Sequence, residues 1–209
     1  MPLSLETTAA FLLACVILAL APGPDNIFVL TQSALYGKAS GLWVTLGLCT
    51  GMIVHTAAVA LGVAVIFQAS AAAFTVLKLA GAAYLLYLAW QAFQASAARV
   101  ESGEANRLAF GRLYRRGIIM NVTNPKVSVF FLAFLPQFTD PGRGSVPMQL
   151  ISLGVLFIMV TVFIFSGIAL LAGKLGEWLN RSARIQLVMN RVAGCVFAGL
   201  ALKLITTQR

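Results

Sequence analysis

Pro22-Gly23-Pro24-Asp25-Asn26 interrupts an apolar run, with residues 11–21 on one side and 27–30 on the other. A second interruption, Asn121-Val122-Thr123-Asn124-Pro125-Lys126, cuts another apolar run half a chain later. Each places a proline in the path of a hydrophobic helix and a charge just after it, Asp25 in the first and Lys126 in the second. Proline removes one helical hydrogen bond and its ring collides with the preceding turn. Pro22, Gly23 and Pro24 in the first run and Pro125 in the second therefore predict helix breaks. In lipid, opened backbone is tolerated only where protein covers it or water fills a cavity. Interrupted segments at matching places in two halves point to the binding site of a carrier.

Composition supports a membrane setting. The 209 residues are 60% hydrophobic and 10% charged, against about 25% charged in soluble domains. Mean hydropathy is +0.91. Six spans of about 20 residues, with their loops, use the whole chain and leave no room for a soluble domain. The net charge of +9, from 15 Lys+Arg against 6 Asp+Glu, is the kind of balance that also suits nucleic acid. Here the basic residues fall in loops between apolar runs, so topology explains them and no nucleic-acid partner is expected. Cys15, Cys49 and Cys195 are isolated in apolar contexts. They lack metal-ligand or Cys-x-x-Cys spacing and read as small core residues. Ala19-Leu20-Ala21 has the form of a signal-peptide cleavage site. However, residues 1–10 carry Glu6 and no Lys or Arg, and Pro22 follows the cut. The segment reads as the first membrane helix.

The expected fold is an all-α integral membrane protein of six transmembrane helices, the first and fourth broken at prolines. The predicted spans are about 5–31, 41–67, 72–96, 117–134, 147–172 and 187–205. Residues 1–96 and 117–209 form two three-helix units, joined by a basic linker at 97–116. In the second span Gly47, Gly51, Ala58 and Gly62 share a face that includes a Gly-x-x-x-Gly, which predicts close helix packing and also suits self-association. The loops after spans one, three and five carry Lys38, the arginines of 97–116, and Lys174, Arg181 and Arg184. The other loops carry only Arg143. The positive-inside rule puts the first set in the cytoplasm, with both termini outside. Three helices per unit is an odd number, so related units are inverted. Lys78-Leu79-Ala80-Gly81 with Tyr84, against Arg191-Val192-Ala193-Gly194 with Phe197, gives a faint 3+3 repeat.

Asp25 is the one acidic residue deep in an apolar span. A charge there costs about 2.5–3.5 kcal/mol on insertion scales, which makes it a functional candidate. The bland alternative is a structural pair with Lys126 that holds the two broken helices together. His55, the sole histidine, is a candidate proton relay and equally a satisfied core residue. Lys78 reads as a snorkelling side chain. No Walker A loop, nucleophile elbow or metal spacing is present, so the chain does not read as an enzyme.

Ala21 through Asn26, the glycines Gly37, Gly41, Gly47 and Gly51, the run Lys78 through Leu85, and Asn121 through Lys126 followed by Phe130-Phe131 and Pro136-Gln137-Phe138 together resemble the LysE/RhtB family. The resemblance covers nearly the whole chain. It implies a bacterial inner-membrane (plasma-membrane) carrier that exports amino acids or close derivatives, coupled to the proton gradient and needing no bound cofactor. Some members of that family place an acidic residue in the fifth helix, where this chain has Thr161. That departure favours neutral substrates such as threonine, homoserine or leucine. In this reading the half-helix ends and Lys126 attract the substrate carboxylate. Asp25 holds the ammonium or a proton, and Asn26 and Asn124 add neutral hydrogen bonds. The rival reading is a non-transporting scaffold or receptor subunit built on the Gly-x-x-x-Gly face. Counterflow of a labelled amino acid in liposomes separates the two.

Overall fold

The computed structural model describes residues 3–69, 71–96, 108–181 and 183–206. Every regular element among them is helical. Helix α1 spans Leu5–Leu20. Ser4 starts it by accepting a hydrogen bond from the Thr7 amide at 3.0 Å, and Glu6 lies in its first turn, where the helix dipole favours negative charge. Pro22 and Pro24 end it. Helix α2, Pro24–Tyr36, restarts with proline at its first position, where no N–H is needed, and bends 58° from α1. Gly37, at φ 88°, closes α2 in a conformation that favours glycine. Helices α3, Lys38–Ala69, and α4, Ala71–Gln94, complete the first half.

The second half repeats the break. Helix α5, Phe110–Thr123, stops before Pro125, and α6, Pro125–Val129, restarts after it. A π-helical turn, Phe130–Phe134, and a 3-10 turn, Leu135–Phe138, follow, so that the segment bends 51° from α5. The turn after it is tied locally. Asp140 accepts from the Gly142 amide at 2.8 Å, and Gln149 bonds both the N–H and the C=O of Asp140. Helices α7, Val146–Arg181, and α8, Ala183–Thr206, finish the chain.

Helix α3 is central and packs on α2, α5 and α7. Helices α1 and α2 pack on α7, and α4 packs mainly on α8. Three stretches among the described residues are long and apolar enough to cross a membrane alone: Lys38–Gly62, Val146–Lys174 and Gln186–Thr206. The two bent pairs qualify as one crossing each, which makes up to five.

The structure moves two expected boundaries and shortens one expected packing face. The end of the expected linker is helical from Phe110, because Leu113, Gly117 and Asn121 recur at helical spacing and are buried while Arg112, Arg115 and Arg116 face outward. The rest of that linker, 97–107, lies outside the described residues. The expected loop after the fifth span is helix as far as Arg181, with no proline to stop it. The small-residue face of α3 is a packing face only in its first half. A Cβ on Gly47 would collide with the Tyr114 carbonyl and one on Gly51 would meet the Asn121 side chain at 2.7 Å, whereas Gly62 has nothing within 4 Å and Ala58 is exposed.

Candidate functional site

The first break frees backbone carbonyls at the end of α1. The Leu18 carbonyl lies four residues before Pro22, which has no N–H to give it. Lys126, from the second half, takes that place. Its Nζ donates to the Leu18 oxygen at 3.3 Å and to the Ala21 oxygen at 3.1 Å, and the side chain is buried. Asn26 Nδ2 donates to the Ala19 oxygen between them. The ammonium therefore sits at the negative end of α1. Asp25, only 2% exposed, sits in the first turn of α2, at that helix's positive end. Gly23 leaves room for this arrangement, since a Cβ there would lie 3.0 Å from the Lys126 nitrogen.

The second break is completed the same way from the opposite side. The Asn121 carbonyl lies four residues before Pro125. His55 Nε2, on α3, is 3.2 Å from it, and the Asn124 amide donates to it at 3.1 Å. The His55 contact requires the imidazole proton on Nε2, and the ring stacks on Phe131 at 5.4 Å. Asn124 caps α6, its Oδ1 accepting from the Lys126 amide at 3.0 Å. In each break, a carbonyl orphaned by proline is met by a basic side chain rooted in the other half.

These residues form a polar layer between two apolar clusters. One cluster, towards the end that carries Lys38, Arg112 and Lys174, contains Ala19, Val29, Val44, Leu48, Leu113, Phe165 and Ala169. The other extends towards the 139–145 turn and is dominated by Phe11, Phe130, Phe131, Phe134, Phe138 and Phe157. Their rings pack with centroids 5.0 Å apart for Phe130 and Phe157 and 5.1 Å for Phe134 and Phe138. In the layer, Asp25 Oδ1, Asn26 Oδ1, Asn121 Oδ1 and Asn124 Nδ2 are buried with no hydrogen-bond partner in the protein. Proteins seldom leave buried polar atoms unbonded, so their concentration at two facing helix breaks makes this layer the candidate site.

The structure brings Asp25, Asn26, Asn124, Lys126 and His55 together. It changes two details of the sequence reading. Asp25 and Lys126 attract one another across the layer, but among the described residues they form no direct ion pair. Lys126 is engaged with backbone, and the Asp25 Oδ2 instead has a long 3.5 Å contact from Asn121 Nδ2. The positive end of α2 is likewise met by its own carboxylate rather than left open for a substrate's. Sequence reasoning passed over Asn121, although its position four residues before Pro125 was the available signal. It also passed over the buried, unpartnered Gln32 Oε1, and it noted Thr161 only as a departure from the family, not for its buried, unpartnered Oγ1. No group of three or more metal-binding side chains occurs among the described residues.

Comparison with known proteins gives the family. The sequence model described as "LysE type translocator" matches residues 16–208. A homoserine/homoserine lactone efflux protein of Salmonella typhimurium is 35% identical over 93% of this chain and 94% of its own. An uncharacterized membrane protein of Vibrio cholerae is 34% identical over 95% of this chain and 96% of its own. No solved structure matches. With a full-length family match and relatives of this identity, the chain belongs to the LysE type translocators, a family of membrane transport proteins.

Proposed function

We propose that the protein exports neutral amino acids or their close derivatives from the cytoplasm in exchange for protons. The observation that carries this reading is the buried polar layer, where a carboxylate and three amides from two facing helix breaks hold atoms without protein partners. The named activity of the Salmonella relative, efflux of homoserine and its lactone, supports the direction and the neutral class. The substrate ammonium binds Asp25, with Asn26 and Asn121 adding acceptors. A proton takes the same carboxylate when the layer opens to the other side. Competition of the two cations for one group gives exchange without further machinery.

The architecture in this reading is six spans: α1 with α2, α3, α4, α5 with α6 and the turns after it, α7, and α8. The halves are inverted repeats. The matched glycines support this, since Gly81 of α4 lies beside Leu204 of α8 and Gly194 of α8 lies beside Phe93 of α4. The basic end faces the cytoplasm and both termini face outward across the plasma membrane.

The test is efflux from proteoliposomes with and without an imposed pH gradient. Asp25→Asn keeps size and much of the hydrogen bonding but cannot titrate. It is expected to fold, to retain downhill exchange and to lose gradient-driven efflux. Gradient-driven efflux by Asp25→Asn at the wild-type rate removes Asp25 from coupling.

A further inference from the structure

Among the described residues, five hydroxyl side chains are buried: Ser33, Ser40, Thr45, Thr56 and Thr161. Three donate to the carbonyl four residues back on their own helix, Ser33 to Val29, Thr45 to Gly41 and Thr56 to Met52, and Ser40, at the start of α3, donates to Tyr36 at the end of α2. This is the usual way for a helix to satisfy such a group. Thr161, 1% exposed, bonds nothing. Its hydroxyl is turned away from the partner its own helix offers.

The direction it takes follows from its neighbours. Phe157, Thr161 and Phe165 are spaced by four on α7 and so share one face. Phe157 packs on Phe130 and Phe131 in one apolar cluster, and Phe165 belongs to the other. Thr161 therefore faces the core between the two clusters. Its depth can be read from two glycine contacts. A Cβ on Gly41 would meet both Ser33 of α2 and Ala169 of α7, which sets those residues level. Asp25 and Thr161 each lie eight residues earlier on their helices, about 12 Å at 1.5 Å per residue. Both helices run towards the basic end, so the two residues return to one depth. The contact of Gly154 with Thr56 gives the same answer through α3. Seven residues on from Gly154 is Thr161, and seven back from Thr56 is Cys49, within a turn of the Gly51 that abuts Asn121.

We propose that Thr161 is the specificity-determining residue of this site, bonding an oxygen on the substrate's side chain. The argument rests on the export reading above. Asp25 and the asparagines at the breaks serve the ammonium that every amino acid shares. Thr161 comes from a different helix at the same depth, so it meets the part that varies. A threonine hydroxyl is neutral and can donate or accept. It selects a side-chain hydroxyl or carbonyl over the methyl group of the same size.

The experiment uses the full-length protein in liposomes and two isosteric pairs, homoserine with norvaline and threonine with valine. The wild type is expected to favour the oxygen-bearing member of a pair by about tenfold or more, because its competitor leaves a buried polar group unpaired. Thr161→Val keeps the shape and removes an unpartnered hydroxyl, so it is expected to fold, to move the apolar member faster relative to the oxygen-bearing one and to bring the ratio near one. Thr161→Ser is expected to keep the preference. A wild type without preference, or a Thr161→Val variant that retains it, overturns the proposal. If the wild type moves none of the four, nor other amino acids, the export reading falls and the proposal with it.

Discussion

Lys126→Met tests whether this lysine serves the backbone or the carboxylate. The substitution keeps a similar unbranched chain and removes the ammonium, so the Leu18 and Ala21 carbonyls lose their donors at 3.3 and 3.1 Å. A buried acceptor left unbonded costs about 1–3 kcal/mol. Side-chain hydrogen bonds measured in a membrane protein lie lower, at about 0.6 and up to about 1.7 kcal/mol. Two carbonyls then give a loss of about 1–3 kcal/mol. Removing the charge also leaves Asp25 uncompensated, and that part of the loss depends on the carboxylate. Asp25→Asn in the Lys126→Met background should therefore return the electrostatic part and leave the carbonyl part, about 1–3 kcal/mol, unrecovered. Reversible unfolding in mixed micelles, followed by tryptophan fluorescence, gives all four corners of the cycle. Full recovery of wild-type stability in the double variant would refute the backbone role and reduce Lys126 to a counter-ion.

Gly51→Ala places a methyl 2.7 Å from the Asn121 Cβ and should cost about 1–3 kcal/mol as overpacking. The same unfolding assay reads this loss, and liposome binding should show weakened substrate affinity as Asn121 is pushed from Asp25. Gly47→Ala drives a Cβ into the Tyr114 carbonyl, whereas Gly62→Ala meets nothing within 4 Å. Expression and melting should fall for the first and hold for the second. For orientation, Gly142→Cys in a background lacking Cys195 should react with an impermeant maleimide added to intact cells, and Lys38→Cys should react only after permeabilisation. The reverse pattern inverts the topology.

The broken helices were legible because proline acts through covalent geometry, which needs no tertiary information. Asp25, Asn26, Asn124 and Lys126 were legible for the same reason, being polar groups attached to those breaks. What each does was not. Asp25 and Lys126 have opposite charge, and sequence alone favours pairing them; only the fold shows carbonyls nearer to the ammonium than the carboxylate is. The helical start at Phe110 was hidden by arginines that made the stretch look like loop, though Leu113, Gly117 and Asn121 carry a helical period. Thr161 was read as the absence of an acid. Its role depends on a hydroxyl that declines its own helix, which no residue spacing records.

The two breaks are each completed by the other half: Lys126 reaches back to residues 18 and 21, and His55 reaches forward to residue 121. This has a consequence for biogenesis. The N-terminal helices leave the ribosome and enter the bilayer long before Lys126 is made. During that interval the Leu18 and Ala21 carbonyls have no native donor, in a solvent that offers none. The nascent first half is thus held in a provisional state, sheltered by the insertion machinery or by water drawn to the break. Synthesis past residue 126 lets it settle. A chain stopped before that point keeps two backbone carbonyls without the donor that the whole chain gives them.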